Sequence, residues 1–238
     1  MERFSANIDK TAVVTGASSG IGLAVARMLT KEGYKVIGIG RKFRCDDIFE
    51  KIENDLTDDN KTDKLIRRIL EDNKVYMLVN CAGVGFYGLH ETLLREDIRN
   101  MVRTNLEIPL VLTNAFLPSI RQEKGWIINI SSVTQGRVNT HGAAYGATKA
   151  GLGSFGESLF EEYRKQGVKV VNIRPDMTRT ELYRNADFEC SEDEGAYLLP
   201  EDTAEAIKDL LHMRDGVIIR DLTITPQYHR ISKKTHQE

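Results

Sequence analysis

Apolar positions along this chain follow two alternating rhythms. Short aliphatic runs read as strands at 11–15 (TAVVT), 35–40 (KVIGIG), 75–80 (VYMLVN), 126–131 (WIINIS), 168–173 (VKVVNI) and 216–224 (GVIIRDLTI), with a weaker one at 49–54 (FEKIEN). Between them the spacing turns helical. IGLAVARMLTKEG sets Ile21, Ala24, Val25, Met28 and Leu29 on one face and stops at Gly33. Further helices are predicted over 64–73, from 95 to about 119 with a bend at Pro109, from 145 to about 164, and over 201–213. Strands that alternate with helices and are apolar throughout predict an α/β fold, a doubly wound parallel sheet covered on both faces. One segment fits neither rhythm. Residues 187–194 (DFECSEDE) are acidic and aperiodic, and read either as a solvated loop or as a flap over a pocket at the sheet's C-terminal edge.

Composition narrows the picture. At 238 residues, 41% of them hydrophobic, the chain fits one domain spanning 1–238. A net charge of −2 with no long run of one sign predicts no nucleic-acid partner. Glu2, Arg3, Asp9 and Lys10 lead directly into the first strand without a signal-peptide pattern, and no apolar run approaches the ~18 residues of a membrane span. Cys45, Cys81 and Cys190 are widely spaced and form no metal-ligand pattern, nor do His90, His141, His212, His229 and His236, so no metal is expected and the cytoplasm is the expected location.

The chemistry begins at TGASSGIG, residues 15–22. Gly16 suits a tight turn off the first strand, Gly20 lets a phosphate approach the backbone, and Gly22 lets the helix pack close to the sheet. The helix start then offers N–H groups and partial positive charge to a pyrophosphate. A second signal is AYGATKAG (144–151), where Tyr145 and Lys149 stand one turn apart on one helix face. A free tyrosine titrates near ~10, so proton exchange at neutral pH requires about three units, roughly 4 kcal/mol, of phenolate stabilisation. A neighbouring ammonium favours that ionised form.

TGxxxGIG, NCAG (80–83), Asn105, INISS (128–132), YGATK (145–149) and Arg174–Pro175 occur in that order. Together they resemble the short-chain dehydrogenase/reductase family over about 10–224. The resemblance implies a Rossmann-type sheet and an oxidoreductase acting on a small-molecule carbonyl or alcohol, with Tyr145 as acid/base and Lys149 beside it. It implies that Ser132 holds the substrate oxygen, while Ser131 is structural, and that Asn105 holds a water contacting the lysine. For the cofactor it implies Gly16, Ser18, Ser19, Gly20, Ile21 and Gly22 at the phosphates, Asp55 and Leu56 at adenine, and Asn80, Ala82 and Gly83 along the riboses. Tyr145, Lys149, Pro175, Thr178 and Thr180 follow at the nicotinamide side. The acid that would select NAD at the end of the second strand is replaced by Gly40, followed by Arg41 and Lys42, which predicts NADP(H). The alternatives are an NAD-linked hydroxy acid dehydrogenase, or a non-catalytic NADP(H)-sensing binding protein. Family members assemble as homodimers or homotetramers through the two long helices.

The sequence also departs from the family's pattern. Residues 40–55 are short, so the helix between the second and third strands is expected to be curtailed or missing. Asp176 replaces a glycine and Thr178 a valine-like residue, placing charge near the substrate. The C-terminal part resembles the branch of serine and 3-hydroxy acid dehydrogenases. Pocket shape is left to loops 84–94, 133–143 and 176–200, with about 178–200 as a flexible substrate loop. His141 either faces the pocket or does not, and Phe86 and Tyr87 either wall it or pack the loop. The final KKTHQE is expected to fray.

Overall fold

A computed structural model describes residues 9–44, 46–228 and 230–234. Glu2, Arg3, Cys45, His229, His236 and the last four residues of the tail therefore lie outside the described residues. The strands are β1 (Thr11–Thr15), β2 (Lys35–Gly40), β3 (Glu50–Glu53), β4 (Val75–Asn80), β5 (Trp126–Ile130), β6 (Lys169–Pro175), β7 (Phe188–Cys190), β8 (Asp221–Ile224) and β9 (Ile231–Lys233). The α-helices are α1 (Gly20–Lys31), α2 (Asp59–Asp72), α3 (Arg95–Val102), α4 (Ile108–Gln122), α5 (Ala143–Tyr163) and α6 (Pro200–Leu211).

Seven strands form one sheet in the order β3-β2-β1-β4-β5-β6-β8, with every pairing parallel. Its two faces follow from the two-residue period of β1. Ala12 and Val14 join the core under α1 and α6, with Val25, Leu29, Ile207 and Leu210. Val13 joins the core on the other face, with Leu65, Ile69, Leu112, Phe116 and Leu159 of α2, α4 and α5. Strand order reverses between β1 and β4, so their C-terminal ends diverge and leave a crevice, the place where such sheets bind ligands. No helix among the described residues is long and apolar enough to cross a membrane.

Three expectations change. The break in the long helical region is a five-residue π turn, Arg103–Glu107, rather than a bend at Pro109. Pro109 sits in the first turn of α4, where a missing N–H is tolerated, and it cannot donate to the Asn105 carbonyl one turn back. Second, α2 starts at Asp59, earlier than the apolar spacing shows, because the Asp58 side chain caps it by accepting from Lys61 N at 3.1 Å. Third, segment 187–194 contains a strand. β7 pairs antiparallel with β9, and Lys234 N donates to Asp187 O at 2.9 Å, so the tail is tied down as far as Lys234. Between β2 and β3 no helix occurs among the described residues, as the short spacing predicts.

Candidate active site

The glycine loop fills the crevice floor because its backbone could not otherwise pass there. Gly16 adopts φ +69°, and a Cβ on it would meet the Ala82 backbone at 2.9 Å. A Cβ on Gly22 would collide with the Gly16 carbonyl oxygen. Thr15 ties the two loops together: its Oγ1 accepts from Cys81 N and Ala82 N, each at 3.0 Å, and donates to Val79 O at 3.3 Å. Thr15 opens the TGASSGIG motif, but the motif assigns its side chain no role; its place as the last residue of β1, beside the loop after β4, is the signal for one.

A cleft of about 510 Å³ opens above this floor. Gly16, Ser18, Ser19, Gly20, Ile21, Gly22, Arg41, Asp55, Leu56, Ala82, Gly83, Pro175, Thr178 and Thr180 all line it, and so do Ser132, Tyr145 and Lys149. Three predicted residues are absent from its wall. Lys42 is exposed, while Asn80 and Asn105 are buried behind the wall. The wall also includes Cys81 of the NCAG motif, and Thr57, Thr104, Leu182, Tyr183 and Arg184, which no motif singles out.

Asn80 belongs to an amide ladder. In register across β4, β5 and β6, Asn80 Nδ2 donates to Asn129 Oδ1 at 2.9 Å, Asn129 Nδ2 to Asn172 Oδ1 at 3.1 Å, and Asn172 Nδ2 to Gly153 O of α5 at 3.1 Å. This ladder fixes α5 against the sheet edge that carries the site. Asn105, on the π turn, uses its side chain as a second clamp. Its Oδ1 accepts from Val84 N at 2.8 Å, and its Nδ2 donates to Val84 O at 2.9 Å and to Thr148 Oγ1 at 3.2 Å. Its amide therefore joins the loop after β4 to the residue preceding Lys149.

At the inner end of the cleft Ser132, Tyr145 and Lys149 are all buried. Ser132 follows β5 by two residues and caps the short turn Val133–Gln135, its Oγ accepting from Thr134 N at 3.2 Å. Ser131 Oγ donates to the Lys149 carbonyl at 3.0 Å, which anchors α5. Lys149 Nζ donates to Ile130 O at 2.8 Å and lies 5.8 Å from the centre of the Tyr145 ring. Burial pushes the Tyr145 phenol up to about 12, while hydrogen bonds from Ser132 and Tyr87 pull the other way. Burial pushes the Lys149 ammonium down to about 8. Burial thus raises the phenol, the direction opposite to the one a neighbouring ammonium favours. Nearer the entrance, Asp55 accepts from Thr57 Oγ1 at 2.7 Å and Thr57 N at 3.0 Å, and this bonding holds its carboxyl below the usual carboxylate range.

On the substrate side Asp176 is buried, and its Oδ2 lies 3.6 Å from Arg137 Nη1. Thr178 Oγ1 donates to Asp176 O at 2.9 Å, and Thr180 Oγ1 caps the short turn Glu181–Asn185 by accepting from Leu182 N at 3.3 Å. His141 is exposed and off the cleft wall; its carbonyl accepts from Gly88 N at 2.7 Å. Phe86 and Tyr87 pack with Val84, Met101 and Tyr145, so the packing alternative applies to both.

Comparison with known proteins agrees with this geometry. The short chain dehydrogenase family matches residues 10–189. An uncharacterized oxidoreductase of Staphylococcus haemolyticus is 32% identical over 228 residues, covering 91% of this chain and 97% of that protein. Serine 3-dehydrogenase of Agrobacterium fabrum is 36% identical over 183 residues, 72% of this chain and 73% of its own length. Among solved structures, an alcohol dehydrogenase from Thermococcus sibiricus complexed with 5-hydroxy-NADP superposes with a TM-score of 0.82 at 25% identity, covering 93% of this chain and 98% of the other. With its parallel sheet, glycine-floored cleft and buried Ser–Tyr–Lys group, the chain belongs to the short chain dehydrogenase family of oxidoreductases.

Proposed function

We propose that the protein is an NADP(H)-dependent oxidoreductase that interconverts a secondary alcohol with a ketone, or an alcohol with an aldehyde, using Tyr145 as acid and base. One observation carries this reading. Ser132, Tyr145 and Lys149 are buried together at one end of a cleft whose other end is the glycine loop and the start of α1. The cleft residues fit a dinucleotide. Side chains at Gly16 and Gly22 would obstruct the backbone where a pyrophosphate would lie, and α1 begins there with a helix N-terminus. Gly40 has no room for an acid, since a Cβ there would lie 2.7 Å from Ser18 Cβ, and Arg41 is on the wall. These features favour NADP(H), as does the NADP derivative held by the Thermococcus sibiricus neighbour.

A bound nicotinamide cofactor supplies the hydride chemistry; the chain supplies alignment and the proton. Tyr145 keeps its proton in the resting protein and gives it to a carbonyl oxygen held by the Ser132 hydroxyl. Lys149 is largely cationic at neutral pH and supports the phenolate that results. Asn105 and the amide ladder position these groups rather than react. Segment 178–200 serves as the substrate loop. A second substrate reading is a 3-hydroxy acid: Arg137 lies off the cleft wall but pairs with Asp176 on it, and its side chain, 61% exposed, offers a guanidinium fork for a carboxylate. The name of the Agrobacterium fabrum relative points the same way. We further propose a cytoplasmic homodimer or homotetramer assembled through the outer faces of α3, α4 and α5, where Val102 and Val111 are exposed.

The test is NADPH oxidation over a panel of ketones, aldehydes and 3-oxo acids, with NADH in parallel. Turnover with NADPH that falls by about 10²–10⁴-fold in Tyr145→Phe, with NADPH still bound, is the expected result. Full activity in that variant would overturn the role of Tyr145, and preference for NADH would overturn the cofactor assignment.

A further inference from the structure

Two charged side chains are buried among the described residues, Lys149 and Asp176, and both stand on the cleft wall. The wall's other charged residues, Arg41, Asp55, Glu181 and Arg184, are exposed. A carboxylate is seldom buried without something that offsets its lost hydration. Lys149 has its place beside Tyr145. Asp176 takes no part in the proposed proton transfer, and it stands where the resembled pattern carries a glycine.

Asp176 is fixed at the sheet end, on the substrate side. It follows the last residue of β6, and its N–H donates to Ile224 O of β8 at 2.9 Å. Its carbonyl accepts from Thr178 Oγ1 at 2.9 Å. Carboxylate Oδ1 accepts from Met177 N at 2.8 Å, which sets the plane of the group. Oδ2 is 3.6 Å from Arg137 Nη1, within range of the charge but longer than a hydrogen bond. Arg137 comes from the loop after β5, lies off the cleft wall and has a side chain 61% exposed, so this cation stands toward solvent. β5 and β6 are paired neighbours with Ile130 opposite Ile173. Ser132 and Asp176 therefore leave adjacent strands at nearly the same level, both on the wall that also carries Tyr145.

We propose that Asp176 is a substrate-binding residue that selects an alcohol carrying an ammonium group near the reacting carbon, so that the substrate class is amino alcohols and the matching amino ketones or aldehydes. The inference rests on the proposed alcohol–carbonyl reaction at Tyr145. Ser132 takes the substrate oxygen, and Asp176, one strand over, takes the substituent beside it. An ammonium that reaches Oδ2 makes a charge-assisted hydrogen bond at a position largely closed to solvent, where such bonds are strong. A methyl group in the same place displaces water from the carboxylate and returns no bond. A lone anionic substituent is repelled. Where a carboxylate is drawn to Arg137, an ammonium on the same molecule offsets its repulsion from Asp176.

The test is a matched pair of alcohols, 1-amino-2-propanol and 2-butanol, which differ by an ammonium in place of a methyl group. Both are offered with NADP⁺ near neutral pH, where an alkylammonium keeps its proton. The ratio of kcat/KM, amino alcohol over 2-butanol, is expected to be roughly tenfold or more in the wild-type protein and to fall to about one in Asp176→Asn. Asparagine keeps an oxygen for Met177 N, so the variant removes the charge and retains the turn. A second readout needs no turnover: 1-amino-2-propanol is titrated calorimetrically into the protein saturated with NADPH, a pair that cannot react. The Kd is expected to weaken by roughly tenfold or more in Asp176→Asn. A wild-type ratio near or below one overturns the inference, and this arm requires no variant to fold. Equal losses on both alcohols in Asp176→Asn also overturn it, since the acid is then structural. If no alcohol or carbonyl turns over, the proposed function fails while the titration still decides whether Asp176 binds an ammonium. Equal affinity in the two proteins overturns the inference.

Discussion

At Gly40 the proposed preference for NADP(H) turns on a side chain that is missing. Ser18 occupies the space a Cβ would need, so an acidic residue cannot stand there without displacing it, and the neighbouring cation Arg41 lines the cleft instead. A guanidinium bonded to a phosphate gains roughly 1.5–3 kcal/mol, and a carboxylate in its place repels the same group. Arg41→Asp is therefore expected to weaken NADPH binding by tenfold or more and to leave NADH binding unchanged or tighter, read by fluorescence titration; equal losses for both cofactors would remove Arg41 from the site. Gly22 offers a test at the loop floor. A methyl group there meets the Gly16 carbonyl, which is backbone and cannot swing away. Overpacking of this kind costs about 1–3 kcal/mol. Gly22→Ala should lower the thermal midpoint by several degrees and weaken NADPH and NADH alike, because it deforms the loop rather than the 2′ end; a variant with wild-type midpoint and affinity would show that the loop has slack.

Among the elements, β7 and β9 form a small sheet apart from the main one. Two strands of three residues each form a sheet too small to be stable alone, so they persist through the packing of Phe188 on Tyr87 and Tyr183 and through Lys234, whose Nζ donates to the Tyr183 carbonyl at 2.7 Å. Ser232→Pro places a residue without an N–H at the centre of this pair, opposite Glu189. The thermal midpoint of the whole protein should scarcely change, while limited proteolysis within 178–200 should become much faster; unchanged cleavage would mean that the pair does not restrain the loop. This pair also marks how far the sequence could be read. The parallel strands and their helices were legible because each holds its pattern over four or more residues, and the missing helix after β2 was legible from length alone. β7 and β9 were not, because three residues hold no period and their partner is some 40 residues away. The π turn escaped for a related reason: its apolar spacing is close to helical, and only the pairing of Pro109 with Asn105 distinguishes it. At the site, the Gly loop, Ser132, Tyr145 and Lys149 were readable as motifs, whereas Thr15, the Asn80–Asn129–Asn172 ladder and Tyr87 act through contacts between distant segments that no local spacing records.

The whole molecule bears the cost of placing a cation in its interior. Lys149 is 4% exposed, and burial pushes it from its ordinary value down to about 8. Between about pH 8 and 10.5 the unfolded chain holds a proton on this lysine that the folded chain has released. Stability therefore rises with pH across that window. Below about 8 both states carry the proton and the full penalty applies. Tyr145 acts in the opposite sense but higher up: its folded value of about 12 means that the unfolded chain loses the phenolic proton first, and stability falls only above about pH 10. The two windows can be separated. Relative to Lys149→Met, which removes the titrating group and keeps the chain length, the wild-type protein should gain on the order of 2 kcal/mol between about pH 7 and 9.5. For a chain of this size that amounts to roughly 4–8 °C in the difference between the two thermal midpoints. The variant is expected to be inactive throughout, so the comparison measures what the fold gives up to keep an ammonium next to Tyr145. A midpoint difference that stays flat across the window would mean that Lys149 titrates like a solvent-exposed lysine, and the electrostatic account of the site would then have to be rebuilt without a buried ammonium.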